Sequence, residues 1–157
     1  MKLIQSMPGM PNKVTEEEVD SFLENKLNIQ LATIDEEGYP SIQPLWFLYD
    51  KESSKIFIST QKTTRKIHNL HKISDKIYFS IDDENFPYKG VKGRGIARIL
   101  EDVDLNIPIT EKIITKYLGT LDNPLAQMIM DNARKGIQVV IEITPNFFSA
   151  WDFGKAT

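Results

Sequence analysis

Apolar positions recur every three or four residues up to about Leu27, and from Ile29 onward they fall at alternate residues. Val19, Phe22, Leu23 and Leu27 form a helical stripe behind Thr15 and Glu18, which stand at capping-box spacing, with Val14 and Val19 placed as a hydrophobic staple. A helix opening after Thr15 is expected to cover one end of a sheet or barrel. Extended runs follow at 29–34, 40–50, 55–60 and 75–82, joined by short connections that favour antiparallel neighbours. Residues 36–40 and 50–54 are polar and carry turn formers, so both read as hairpin connections. Only a helix over 63–72 interrupts the series.

A fifth run, 88–100, carries Gly90, Gly93 and Gly95, which signal a bulge, a bend, or close approach of backbone to a ligand or another chain. It is no dinucleotide fingerprint, because no helix follows directly. Helices are expected at 110–118 and 123–135, stopped by Gly119 and Gly136, with Leu125, Met128, Ile129 and Ala133 as the core-packing face of the second. A last strand at 137–144 leads into an aromatic tail, 145–157, whose Phe147, Phe148, Trp151 and Phe153 call for burial against the chain's own core or a second subunit. Residues 1–13, with Pro8, Gly9 and Pro11, read as an irregular N-terminal arm. The pattern predicts one domain over 1–157, mainly β with peripheral helices, built as a six-stranded antiparallel barrel. So narrow a barrel fills its interior with side chains. A sizeable ligand therefore belongs outside it, in a groove, and a dimer interface is a natural place for one.

Composition narrows the chemistry. A net charge of -3 provides no general field for nucleic acid, and no cysteine is present for a disulfide, a thiolate metal site or a nucleophile. No apolar run approaches the roughly 20 residues of a membrane span. A soluble, cytoplasmic protein is expected. His68 and His71 have no further ligand cluster beside them, and Asp82-Asp83-Glu84-Asn85 lacks the spacing of a calcium loop, so no metal site is expected.

The informative stretch is Ile56 to Leu70, where an apolar strand ending in Ser59, Thr60 and Gln61 runs into Lys62, Thr63, Thr64, Arg65 and Lys66 at the start of a helix. Amides at a helix N-terminus lack intrahelical partners and sit at the positive end of the dipole, so hydroxyls and cations added there suit a phosphate. In Gln43-Pro44-Leu45-Trp46, a proline breaks a run that otherwise reads as strand, marking an edge, a bulge or a ligand-facing break. Trp46 there offers either a wall for a flat heterocycle or a plain core side chain.

In order, LATIDEEGYPSIQPLWFLYD, IFISTQKTTRKIHNL, DKIYFSIDD and PYKGVKGRGIARIL resemble the pyridoxamine 5'-phosphate oxidase-like split-barrel proteins over roughly residues 15–153. The resemblance implies a homodimeric split β-barrel with FMN at the subunit interface, or the deazaflavin F420 in some branches. By it, Thr64, Arg65 and Lys66 match the residues that grip the FMN phosphate, Thr60 and Gln61 with neighbouring Ser59 lie beside the ribityl chain, and Gln43, Pro44, Leu45 and Trp46 lie along the isoalloxazine. Tyr88, Lys89 and Gly90 match a strand bordering the site from the other subunit. The implied activity is hydride transfer between flavin and a small-molecule substrate. An F420-dependent reductase and a non-enzymatic flavin- or haem-binding protein are the alternatives, with His68 and His71 as axial candidates for haem. The arginine-rich substrate segment of the oxidases that make pyridoxal phosphate is not found, so pyridoxamine phosphate is not the expected substrate.

Overall fold

The computed structural model describes residues 1–156. Eight strands form one sheet: β1 (Leu3–Gln5), β2 (Ile29–Ile34), β3 (Pro40–Leu45), β4 (Leu48–Asp50), β5 (Lys55–Gln61), β6 (Ile77–Asp83), β7 (Lys89–Leu100) and β8 (Gln138–Asp152). Four helices surround it: α1 (Glu16–Leu23), α2 (Arg65–Lys72), α3 (Val103–Leu118) and α4 (Pro124–Arg134). The strand order is β3-β2-β6-β7-β8-β5-β4, antiparallel throughout, with β1 added parallel to β8.

All six expected strands form, one of them in two pieces. The run over 40–50 breaks at Trp46 and Phe47 into β3 and β4, which lie at opposite edges of the sheet. One continuous segment thus supplies both edges, and the gap between them is the split of the barrel. The strands do not follow one another as a simple series: β6 pairs with β2, and β5 pairs with β8, because α2 carries the chain across the barrel end between β5 and β6.

Alternation places Ile29, Leu31, Ile56, Ile58, Ile77, Phe79 and Ile81 in one core, closed by Val19, Phe22 and Leu23 of α1 and by Ile67 and Leu70 of α2. Each such side chain contributes about 2 kcal/mol by leaving water. The α1 capping box is formed, with Thr15 and Glu18 satisfying each other's backbone N–H groups.

Several sequence expectations are corrected. The N-terminal arm is partly ordered as β1, and Gln5 is tied by its side chain to both backbone groups of Val14. The last strand runs on to Asp152, so most of the aromatic tail is strand; Phe148 is core, Phe153 is exposed, and Thr157 lies outside the described residues. Helix α3 begins at Val103, capped by Asp102, and carries Pro108 inside it. Pro108 gives up one helical hydrogen bond, which is why the sequence points to a later start. In α4, Ala133 is buried and Ile129 is partly buried as expected, whereas Leu125 and Met128 are exposed and Ala126 and Met130 complete the inward face against α3.

The glycines of β7 have a geometric cause. A Cβ at Gly93 would lie 2.4 Å from the Phe147 carbonyl oxygen, and one at Gly95 would lie 2.2 Å from that of Thr144, beside the bulge at Arg94 and Gly95.

Candidate functional site

Because Leu48 pairs with Phe57, the same register continued past the break sets Trp46 across from Ser59 and Pro44 across from Gln61. No pairing forms there. The outer edge of β5 from Ser59 onward and the free edge of β3 therefore face the split with backbone groups unpaired between them, and α2 starts just beyond. Gln43, Pro44, Leu45 and Trp46 lie at the end of the edge strand β3, Ser59, Thr60 and Gln61 lie on β5 beyond the last residue paired with β4, and Thr64, Arg65 and Lys66 lie at the start of α2.

The cations of α2 differ in character. Arg65 is exposed, whereas Lys66 is only 7 % exposed and makes no ion pair among the described residues. Burial pulls its pKa below the ordinary lysine value. The first turn also lacks a side-chain cap, because the Thr64 hydroxyl donates at 2.9 Å to the Gln61 carbonyl. Without a ligand, the Thr64 hydroxyl proton is thus engaged within the turn. What remains is a set of free first-turn amides beside two cations.

Across the split, Gln43 has a buried side-chain oxygen with no partner. Trp46 stacks on Tyr117, with centroids 4.9 Å apart and planes 6° from parallel. Thr60 is buried, and Ser59 is bonded to Thr110 at 2.9 Å. Tyr117 and Lys116 were not indicated by the sequence, where they stand as ordinary residues in the last turn of a helix. Burial raises the Tyr117 hydroxyl to about 12 and lowers the Lys116 ammonium to about 8.

Tyr88, Lys89 and Gly90 lie elsewhere. Lys89 pairs with Asp152 at one end of the β7–β8 ribbon, while Gln61 pairs with Gln138 at the other end of β8. The two positions are separated by about 46 Å of strand contour at roughly 3.3 Å per residue. Within one chain they do not meet. Lys89 and Gly90 instead line a separate groove of about 540 Å³ with Phe22, Asn25 and Trp151. Gly90 is required by packing, since a Cβ there would lie 2.3 Å from the Trp151 ring.

His68 is exposed and bound to Glu36 at 2.7 Å, as is Lys72, which ties the β2–β3 turn to α2. Among the described residues, no group of three or more His, Cys, Asp or Glu side chains is placed to hold a metal ion. Among the described residues, no helix is long and apolar enough to cross a membrane.

An open antiparallel barrel with a cationic helix start at its split defines the class as a split-barrel protein. A family model described as pyridoxamine 5'-phosphate oxidase matches residues 15–151, and the chain belongs to that family. No curated protein matches. A conserved hypothetical protein of Mycobacterium tuberculosis shares the fold at TM-score 0.76 and 22% identity, with 90% of this chain and 87% of that chain covered. An F420 reductase matches at TM-score 0.66 and 26% identity over 83% of this chain and 94% of its own. A haem storage protein of Vibrio cholerae matches at TM-score 0.63 and 17% identity over 83% and 89%.

Proposed function

We propose that the protein is a cytoplasmic, homodimeric FMN-binding oxidoreductase acting on a small-molecule substrate. The observation that carries this reading is Lys66, a lysine buried at a helix N-terminus without an anionic partner. A buried cation is costly unless it is paired, so its natural complement is an anion brought by a ligand. A terminal phosphate suits the free first-turn amides together with Arg65 and Lys66.

The rest of the split fits a flavin tail and ring. Ser59, Thr60 and Gln61 follow the strand leading from the phosphate end, and Gln43 supplies an acceptor without a donor, complementary to a ring N–H. Pro44, Leu45 and Trp46 provide an apolar edge for the ring system. Tyr88, Lys89 and Gly90 can border this site only from a second copy, because in one chain they stand at the far end of the ribbon. Bound flavin supplies hydride transfer, while the chain binds the cofactor, orients it and limits water. No side chain is assigned as catalytic acid or base.

An F420-dependent reductase is the second reading, favoured by the F420 reductase that is 26% identical over most of both chains. The same cations would serve its phosphate and acidic tail. Haem ligation fits less well, since His68 and His71 are both exposed and the Nε2 of His68 is bonded to Glu36.

The test is the visible spectrum of the purified protein, release and mass identification of any chromophore, and titration with FMN, F420 and haemin. FMN bound one per chain supports the proposal. Selective binding of F420 moves the function to the second reading, and binding of none rejects a cofactor site. Consumption of NAD(P)H with common acceptors separates an enzyme from a carrier.

A further inference from the structure

Phe47 sits where the chain leaves β3 and enters β4, so neither of its backbone groups has a sheet partner. It is fully buried, and both groups must be satisfied inside the protein. The last turn of α3 does this. The Phe47 N–H donates to the Tyr117 hydroxyl at 3.3 Å, and the Lys116 ammonium donates to the Phe47 carbonyl at 3.1 Å. The same two side chains reach further. Tyr117 donates to the Leu27 carbonyl at 2.5 Å, and Lys116 donates to the Leu23 carbonyl at 3.3 Å, at the C-terminal end of α1.

The rings complete the arrangement. Lys116 lies 3.8 Å from the centroid of the Phe47 ring, and Tyr117 backs Trp46 as a parallel plate. Consecutive residues of one helix thus replace the missing ladder bonds and fix the ring at the mouth of the split. Ser59 is bonded to Thr110 of the same helix, so α3 touches both sides of the opening.

We propose that Lys116 and Tyr117 are positioning residues that hold the barrel split open and set the Gln43–Trp46 edge against the ring end of the cofactor. This rests on the flavin reading above. Both act through Phe47, which they bond, and Trp46, on which Tyr117 stacks. Their effect is directed at the ring end, while the phosphate end belongs to α2.

The experiment compares the wild type with Tyr117→Phe, which keeps the ring and loses the hydroxyl, with Lys116→Met, and with Lys116→Arg as the conservative rescue. Amide hydrogen exchange at Phe47 and Leu48 is measured on cofactor-free protein, followed by FMN affinity and the visible spectrum of bound flavin. Inorganic phosphate affinity serves as the control for the α2 end. The expected result is faster exchange in Tyr117→Phe and Lys116→Met, FMN binding weakened about tenfold with a shifted visible band, unchanged phosphate affinity, and recovery in Lys116→Arg. Unchanged exchange overturns the clamp. Faster exchange with unchanged FMN affinity and spectrum overturns the positioning role and leaves a purely structural one. Wild-type protein that binds neither FMN nor F420 removes the flavin reading and this proposal with it, even where exchange shows the clamp itself intact.

Discussion

Asn69 of α2 donates through Nδ2 to the hydroxyl of Thr33 on β2 at 3.0 Å, and each residue is only 1 % exposed. This bond fixes where α2 sits on the barrel end, and with it where Arg65 and Lys66 stand. Thr33→Val keeps the shape and removes the acceptor, leaving a buried amide donor unsatisfied. The cost expected is about 1–3 kcal/mol, read as a lower midpoint of thermal or urea unfolding. FMN affinity should fall in the same variant, since α2 loses its buried polar anchor and keeps only the exposed bonds of His68 and Lys72 to Glu36. An unchanged unfolding midpoint would show that the amide finds another partner.

Lys66 gives a prediction of opposite sign. A cation buried without a partner opposes folding, so Lys66→Met should stabilise the cofactor-free protein by about 1 kcal/mol while abolishing tight FMN binding. Thermal scans with inorganic phosphate add a second reading: phosphate should raise the melting temperature of the wild type by mass action and that of the variant, left with Arg65 and the first-turn amides, by much less. A lysine kept for structure would show the reverse, with loss of stability on replacement.

Much of this site was legible because local chemistry wrote it. The strand, the polar turn and the cations from Ile56 to Lys66 are contiguous, as is the Thr15–Glu18 cap, and both stand where their patterns place them. The break at Trp46 and Phe47 was marked only by the nearby proline. β3 and β4 part because one pairs with β2 and the other with β5, and the buried break between them is satisfied by Lys116 and Tyr117, about 70 residues later; no local pattern encodes either. The exposure of Leu125 and Met128 was hidden for a similar reason. Their spacing suits a buried stripe with Ile129 and Ala133, yet the helix turns Ala126 and Met130 inward beside Ala133, a rotation set by its packing on α3 rather than by local spacing.

Lys116 makes stability depend on alkaline pH. Its ammonium titrates at about 8 when folded against 10.5 in the ordinary state, chiefly because burial disfavours the charge. Between these values the unfolded chain binds more protons, so the contribution of Lys116 to stability rises with pH. Below about 8 both states are protonated and the slope vanishes. Because the group is partly open to solvent, the gain is well short of that for full burial. Urea midpoints of wild type and Lys116→Met, followed from neutral pH to about 10.5, should differ by a term that grows in favour of the wild type. The subtraction removes Tyr49 and Tyr117, whose raised values act in the opposite direction. Parallel curves would mean that the carbonyls of Leu23 and Phe47 hold the charge as well as water does.

Gly90 separates packing from ligand contact. A Cβ at this position would lie 2.3 and 2.7 Å from two atoms of the Trp151 ring and 2.9 Å from the Ile81 carbonyl oxygen. Gly90→Ala should therefore destabilise the cofactor-free protein by about 1–3 kcal/mol through overpacking alone. In a Trp151→Leu background the ring is gone and only the carbonyl still crowds the methyl group, so most but not all of that cost should disappear. The double-mutant cycle measures this coupling directly. A glycine retained only to admit a cofactor would leave the cofactor-free protein indifferent to the alanine, and the cycle would show no coupling to Trp151. Coupling together with an additional loss of FMN affinity in Gly90→Ala, beyond that of an equally destabilised variant, would place the β7 end beside the cofactor of a partner subunit.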